Sequence, residues 1–180
     1  MQGFVLKEFL GYSGHRFGPQ VVERVLSGVS LESNCRFACW KYVPPGELTQ
    51  LLEGFSQQTG VSQRDLLLGF GAVMFRTVIN MPLMQPVCRT LFEFLESVES
   101  GFYTELEDLF PDVELPGLAC SRIDKRTLEV VYTSPRRLGD LAEGLIRASI
   151  NHFGEEVSLQ RINNPDNLER VQFLLIRTAD

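Results

Sequence analysis

Three polar residues in the stretch YTSPRRL (132–138) stand two apart directly after the apolar run Leu128, Val130, Val131: Tyr132, Ser134 and Arg136. If that run is a strand, its period of two sends both hydroxyls and the guanidinium to one face of a sheet. Ser134 followed by Pro135 also reads as a helix N-cap with proline at the first helical position. Turn and capping chemistry alone can account for all three residues, with Tyr132 packing and Arg136 solvated. The alternative is an anion site. A helix N-terminus, two hydroxyls and an arginine fork suit a ligand carrying carboxylates, and a flat, amphiphilic cofactor could lay its remainder among apolar side chains.

Those apolar side chains come mainly from the first two thirds of the chain, which reads as helical. Pro45 stands near a helix start, and Leu48, Leu51, Leu52 and Phe55 form a stripe at helical spacing. Ser62 and Asp65 form a capping pair ahead of Leu66, Leu67, Phe70, Met74 and Val78. A longer helix is expected from about Met84, with Val87, Leu91, Leu95, Val98, Phe102 and Leu106 in one stripe bordered by Tyr103 and Phe110, until Pro111 and Pro116 end it. Beyond Pro116 the period becomes strand-like. GLACSRI and TLEVVYT flank the turn DKR, a helix runs from Pro135 to about Phe153, and EVSLQRI and RVQFLLIR are two more strands around NNPDN. The expected fold class is α+β: one domain over residues 1–180, helical to about 110, then a four-stranded antiparallel sheet with one packed helix.

Composition narrows the function. At 180 residues, 44% hydrophobic and with 13 Phe against one Trp, the chain can fill one aromatic-rich core. Its formal net charge is −6 and no basic cluster is longer than a pair such as Arg136-Arg137, so nucleic acid is not an expected partner. The longest apolar stretch, Leu66 to Phe75, is about half a bilayer crossing. The opening MQGFVLKEFL is broken by Lys7 and Glu8 and lacks the basic-then-apolar order of a signal peptide. A cytoplasmic location away from the membrane is expected, with Cys35, Cys39, Cys88 and Cys120 as free thiols. Cys35-x-x-x-Cys39 lacks the second ligand pair of a zinc site. No paired carboxylates, nucleophile-base pair or phosphate loop stands out, so an enzyme is not expected.

The opening MQGFV, the segments FGAVMF and LFPDVELP, the stretch YTSPRRL and the following AEGLI together resemble the haem-nitric oxide/oxygen-binding (H-NOX) domains nearly end to end. The most specific element is Tyr-x-Ser-x-Arg, which in that family grips the haem propionates and here is Tyr132, Ser134 and Arg136. The resemblance favours the anion-site reading and implies haem b between the helical and sheet parts. It also implies a proximal histidine 29 residues before the motif's tyrosine, and that position is Tyr103. Pro116, 13 residues after Tyr103, matches the proline that presses on the porphyrin and confirms the register. His15 and His152 fall elsewhere, so each is expected to be an ordinary surface or packing histidine.

Tyr103 either binds the haem iron as a phenolate, which favours the ferric state, or fills space while the domain holds haem without that link or has lost it. The gas side of the family's pocket corresponds to Val5, Phe9, Met74, Leu141 and Leu145. Leu141 stands where oxygen-binding members carry a tyrosine donor, so stable oxygen binding is not expected. No cysteine lies between Asn151 and Asp180, where some members have a zinc site. The resemblance implies a sensory domain, sensitive to nitric oxide or a related ligand, that signals to a separate histidine kinase or cyclic-di-nucleotide enzyme. A haem-free interaction module on the same scaffold is the alternative.

Overall fold

The computed structural model describes residues 3–33, 43–44, 46–81, 88–109 and 114–178. Cys35, Cys39, Pro45, Met84, Val87, Phe110 and Pro111, and the side chains of Phe102 and Leu106, lie outside the described set. Helices α1 (Gly3–Phe17), α2 (Pro19–Gly28), α3 (Gly46–Thr59) and α4 (Gln63–Ile79) come first. The expected stripe of α3 is buried, and Ser62 Oγ accepts the Asp65 amide at 3.0 Å at the head of α4. Leu6, Phe9, Leu51, Phe55, Leu66 and Phe70 make an all-helical core in which Phe9 meets Phe55 and Phe70 edge-on at 5.7 and 5.3 Å.

Next come α5 (Leu91–Ser97) and α6 (Thr104–Leu109), joined by a π-helical stretch, Val98–Tyr103. The single helix expected from Met84 is therefore corrected. The described segment starts only at Leu91, because Thr90 and Glu93 form a reciprocal capping box and Glu155 accepts the Leu91 amide at 2.7 Å. The wider π turn then offsets the register of Tyr103 from the stripe. Two bonds from β1 (Gly117–Arg122) brace that turn: the Cys120 amide donates to Glu99 at 2.9 Å and the Cys120 thiol to the Leu95 carbonyl at 3.4 Å.

Strands β1, β2 (Thr127–Thr133), β3 (Val157–Asn163) and β4 (Arg170–Arg177) form an antiparallel sheet in the order β1-β2-β4-β3, with α7 (Gly139–Phe153) inserted after β2. Register pairs Leu128 with Leu175, Val130 with Phe173 and Tyr132 with Val171. All six are buried, so this face of the sheet meets the helices and Tyr132 points inward with it. A second core of Phe75, Phe92, Phe94 and Leu95 packs on that face, and Leu138 touches both cores.

Helices α4 and α7 meet backbone to backbone through Gly71 and Gly144. A Cβ on Gly71 would lie under 3.0 Å from the Leu141 carbonyl oxygen, and one on Gly144 would crowd the Leu68 carbonyl oxygen in the same way. Beside this crossing, the buried Glu143 carboxylate gathers Arg64 of α4 (3.1 Å), Arg147 of α7 (2.8 Å) and Arg161 of β3 (2.8 Å), with Asp140 joining Arg64 and Arg161. Burial pushes the Glu143 carboxyl upward, but the hydrogen bonds from Arg161 and Arg147 and the surrounding arginine charge outweigh it and leave it lowered. A carboxyl depressed in the folded chain contributes stability above its unfolded value, about 4.3, and loses it as pH falls through the folded value. Glu143→Gln should therefore cost about 1–2 kcal/mol at neutral pH and flatten the acid limb of the unfolding curve followed by circular dichroism.

Candidate functional site

The YTSPRRL stretch is not one strand face running into a helix. β2 ends at Thr133 and α7 begins only at Gly139, so the expected helix start at Pro135 and the Ser134 N-cap are both corrected. Pro135 instead occupies the second position of a turn closed by the Arg137 amide on the Ser134 carbonyl at 3.0 Å. Arg137 follows in the left-handed region with φ of 54°, a conformation that cannot propagate a helix from Pro135. The anion site therefore has no helix N-terminus at Ser134 to draw on.

The three motif residues still act together. Ser134 is buried; its Oγ accepts the Arg136 amide at 3.2 Å and hydrogen-bonds the Tyr132 phenol. It braces the other two and does not line the cavity. Burial raises the Tyr132 phenol, partly offset by that hydrogen bond and the Arg136 charge, so it is a neutral donor. The Arg136 side chain is 13% exposed, and its terminal nitrogens bind Glu114, at 2.5 Å to Oε2 and 3.4 Å to the carbonyl. Its Nε–H is buried and has no hydrogen-bond partner.

Tyr132 and Arg136 stand at one side of a cavity of about 190 Å³ between the two cores. Phe4 and Val5 of α1, Met74 and Val78 of α4, and Leu141 and Leu145 of α7 contribute to its lining. Leu95, Val98 and Tyr103, with Leu115, Pro116 and Leu118, contribute as well. Of the sequence-derived residues, Tyr103, Pro116, Val5, Met74, Leu141 and Leu145 thus share the cavity with Tyr132 and Arg136. Phe9 does not. It lies one turn beyond Val5 on α1, where the helix has passed the cavity, and it is locked in the all-helical core. Phe4, Met81 and Glu114 were missed. Phe4 adjoins Val5, and Glu114 stands between Val113 and Leu115 just before Pro116, an acid flanked by apolar residues that could have marked it.

Tyr103 faces Tyr132 and Cys120, and burial, reinforced by those two groups, pushes its phenol well above the ordinary value of 10. Cys120 is pushed up to about 12 by burial and by Glu99 and Glu96, which keeps it a neutral thiol. His15 is an exposed residue near the end of α1, and His152 packs against Phe75 with ring centroids 5.2 Å apart, as ordinary histidines. No helix among the described residues is long and apolar enough to cross a membrane.

Small-molecule cavities commonly span about 300–1000 Å³. This one is smaller, but its lining includes adaptable Met74 and Met81 side chains and a largely exposed acid, Glu114. In chemistry its lining, apolar apart from the Tyr103 and Tyr132 phenols, Arg136 and Glu114, suits a flat apolar ligand with a carboxylate edge.

An α+β domain with a carboxylate-compatible apolar cavity between a helical core and an antiparallel sheet is a narrow class. The family model described as Haem-NO-binding matches residues 2–161, and the chain belongs to that family. Among solved structures, the Fe(II) unliganded H-NOX protein from K. algicida is 25% identical, with a TM-score of 0.89 over 100% of this chain and 98% of that one. The S. oneidensis H-NOX protein in the Fe(II)NO ligation state (16% identity, TM-score 0.87, covering 99% of this chain and 100% of that one) shares the fold. So does a single-site mutant of T. Tengcongensis H-NOX (20% identity, TM-score 0.86, covering 99% and 98%). No curated protein sequence matches the chain significantly.

Proposed function

We propose that the chain is a haem-binding sensory domain with an oxygen donor, Tyr103, in place of the usual proximal histidine. The observation that carries this is that Tyr132 and Arg136, the latter with a buried and unpartnered Nε–H, both line an apolar cavity. Bound haem would supply an iron able to take a diatomic ligand. Tyr132 and Arg136 would hold the propionates, with Ser134 bracing both, and Pro116 and Leu115 would support the porphyrin. Tyr103 would face the iron, but its Oη must first release a proton that burial holds in place, so only a strongly charged ferric centre favours the bond. Val5, Met74, Leu141 and Leu145 offer no N–H or O–H on the gas side, so oxygen gains no stabilisation there. A histidine kinase or cyclic-di-nucleotide enzyme is the partner class proposed, on the family resemblance. The signal would pass through Leu138, which touches both cores, and through the Glu143 arginine cluster joining α4, α7 and β3.

Haemin titration with a visible spectrum before and after reduction tests the reading. A stoichiometric Soret band is the expected result. Protein that stays colourless while well folded would favour the haem-free module. Tyr103→Phe should abolish the phenolate-to-iron charge-transfer absorption of the ferric form while leaving far-ultraviolet circular dichroism unchanged; an unaltered ferric spectrum would exclude Tyr103 as ligand.

A further inference from the structure

Glu114 makes the contact that a ligand carboxylate would make. Its Oε2 sits 2.5 Å from an Arg136 terminal nitrogen and its backbone carbonyl accepts the other, while the buried Arg136 Nε–H stays unsatisfied. The two partners differ in surroundings: the Arg136 side chain is 13% exposed and that of Glu114 is 58% exposed. A buried fork held by a solvent-facing acid is an exchangeable pair, because water can take back the carboxylate but not the guanidinium. Glu114 also borders a second groove with Arg137 and Arg64, which offers a displaced carboxylate another cationic neighbour. It directly precedes Leu115 and Pro116 and lines the cavity with them, so its release would change the cavity's own lining.

We infer that Glu114 is an internal stand-in for the ligand's carboxylate, which competes for Arg136 and restricts the cavity to ligands whose own carboxylate can displace it. This rests on the proposed function. It predicts that Glu114→Gln, which keeps the shape and removes the charge, binds haemin and metal-free protoporphyrin roughly three- to tenfold more tightly than the unaltered chain. The gain should vanish when Arg136→Ala is combined with it, and protoporphyrin dimethyl ester, which has no free carboxylate, should bind both chains equally. Uptake by the Glu114→Gln chain alone would support the inference most strongly. If the unaltered chain binds and Glu114→Gln binds no tighter, the stand-in role is overturned and the haem reading survives. If neither chain takes up any porphyrin while both remain folded by circular dichroism, both are overturned.

Discussion

Arg136→Ala should lower haemin affinity by about ten- to a hundredfold, read from the Soret band in a titration of the folded protein. A hydrogen bond to a charged group contributes about 1.5–3 kcal/mol, and each 1.4 kcal/mol is a factor of ten. The loss should fall towards the larger end for a reason peculiar to this site. Once the guanidinium is gone, the Glu114 carboxylate, which also lines the cavity, would be left as a negative charge near the propionates. Arg136→Lys should recover only part of the affinity, since an ammonium replaces the charge but not the planar fork, and it has no equivalent of the Nε–H that now lacks a partner. Affinity unchanged in Arg136→Ala would remove the clasp, and with it the reason to assign this cavity to a dicarboxylate macrocycle.

The sequence carried the strands and most helices because their signals are local. Period-two alternation in TLEVVYT and RVQFLLIR matches the buried face of β2 and β4, and Ser62 with Asp65 caps α4 as its spacing requires. Two local signals misled. Ser134-Pro135 has the composition of a helix start, but the same dipeptide also opens a turn, and the left-handed Arg137 decides between them only once the chain is folded. The stripe from Val87 to Leu106 has unbroken helical spacing, yet the Thr90 capping box and the Glu155 carboxylate set the start of α5, and the second of these is 64 positions away in sequence. The π stretch is equally invisible, since it depends on Cys120 and Glu99 meeting across the β1 interface. The cavity was legible through family spacing for Tyr103, Pro116, Val5, Met74, Leu141 and Leu145. Phe9, one helical turn beyond Val5, sits in the helical core and not in the cavity lining, because α1 can face the cavity at Val5 and the core at Phe9. Glu114 was missed because the identity of Arg136's resting partner is a purely tertiary fact.

Gly144→Ala is expected to destabilise the chain by about 3 kcal/mol, with Gly71→Ala close behind. Overpacking a well-filled interior ordinarily costs about 1–3 kcal/mol when side chains can give way. Here the added carbon meets backbone: the Leu68 carbonyl group for Gly144, with its carbon at 2.9 Å, and the Leu141 carbonyl oxygen and the Leu145 amide, the latter at 2.6 Å, for Gly71. Relief therefore requires α4 and α7 to separate as units. For a chain of this size each kcal/mol moves the melting temperature by about 2–4 °C, so a drop of roughly 10 °C should appear in thermal unfolding. Gly11→Ala, on α1 with open space where the methyl would go, is the control and should leave the melting temperature unchanged or slightly raised. The functional consequence follows from which residues ride on the two helices. Met74 belongs to α4, Leu141 and Leu145 belong to α7, and all three line the same cavity. Parting the helices widens that cavity while leaving Tyr132 and Arg136 on the sheet side in place. A Gly144→Ala chain that still folds should thus bind porphyrin through an intact clasp but with altered spectra. Normal stability in both glycine variants would show that the crossing is not backbone-tight.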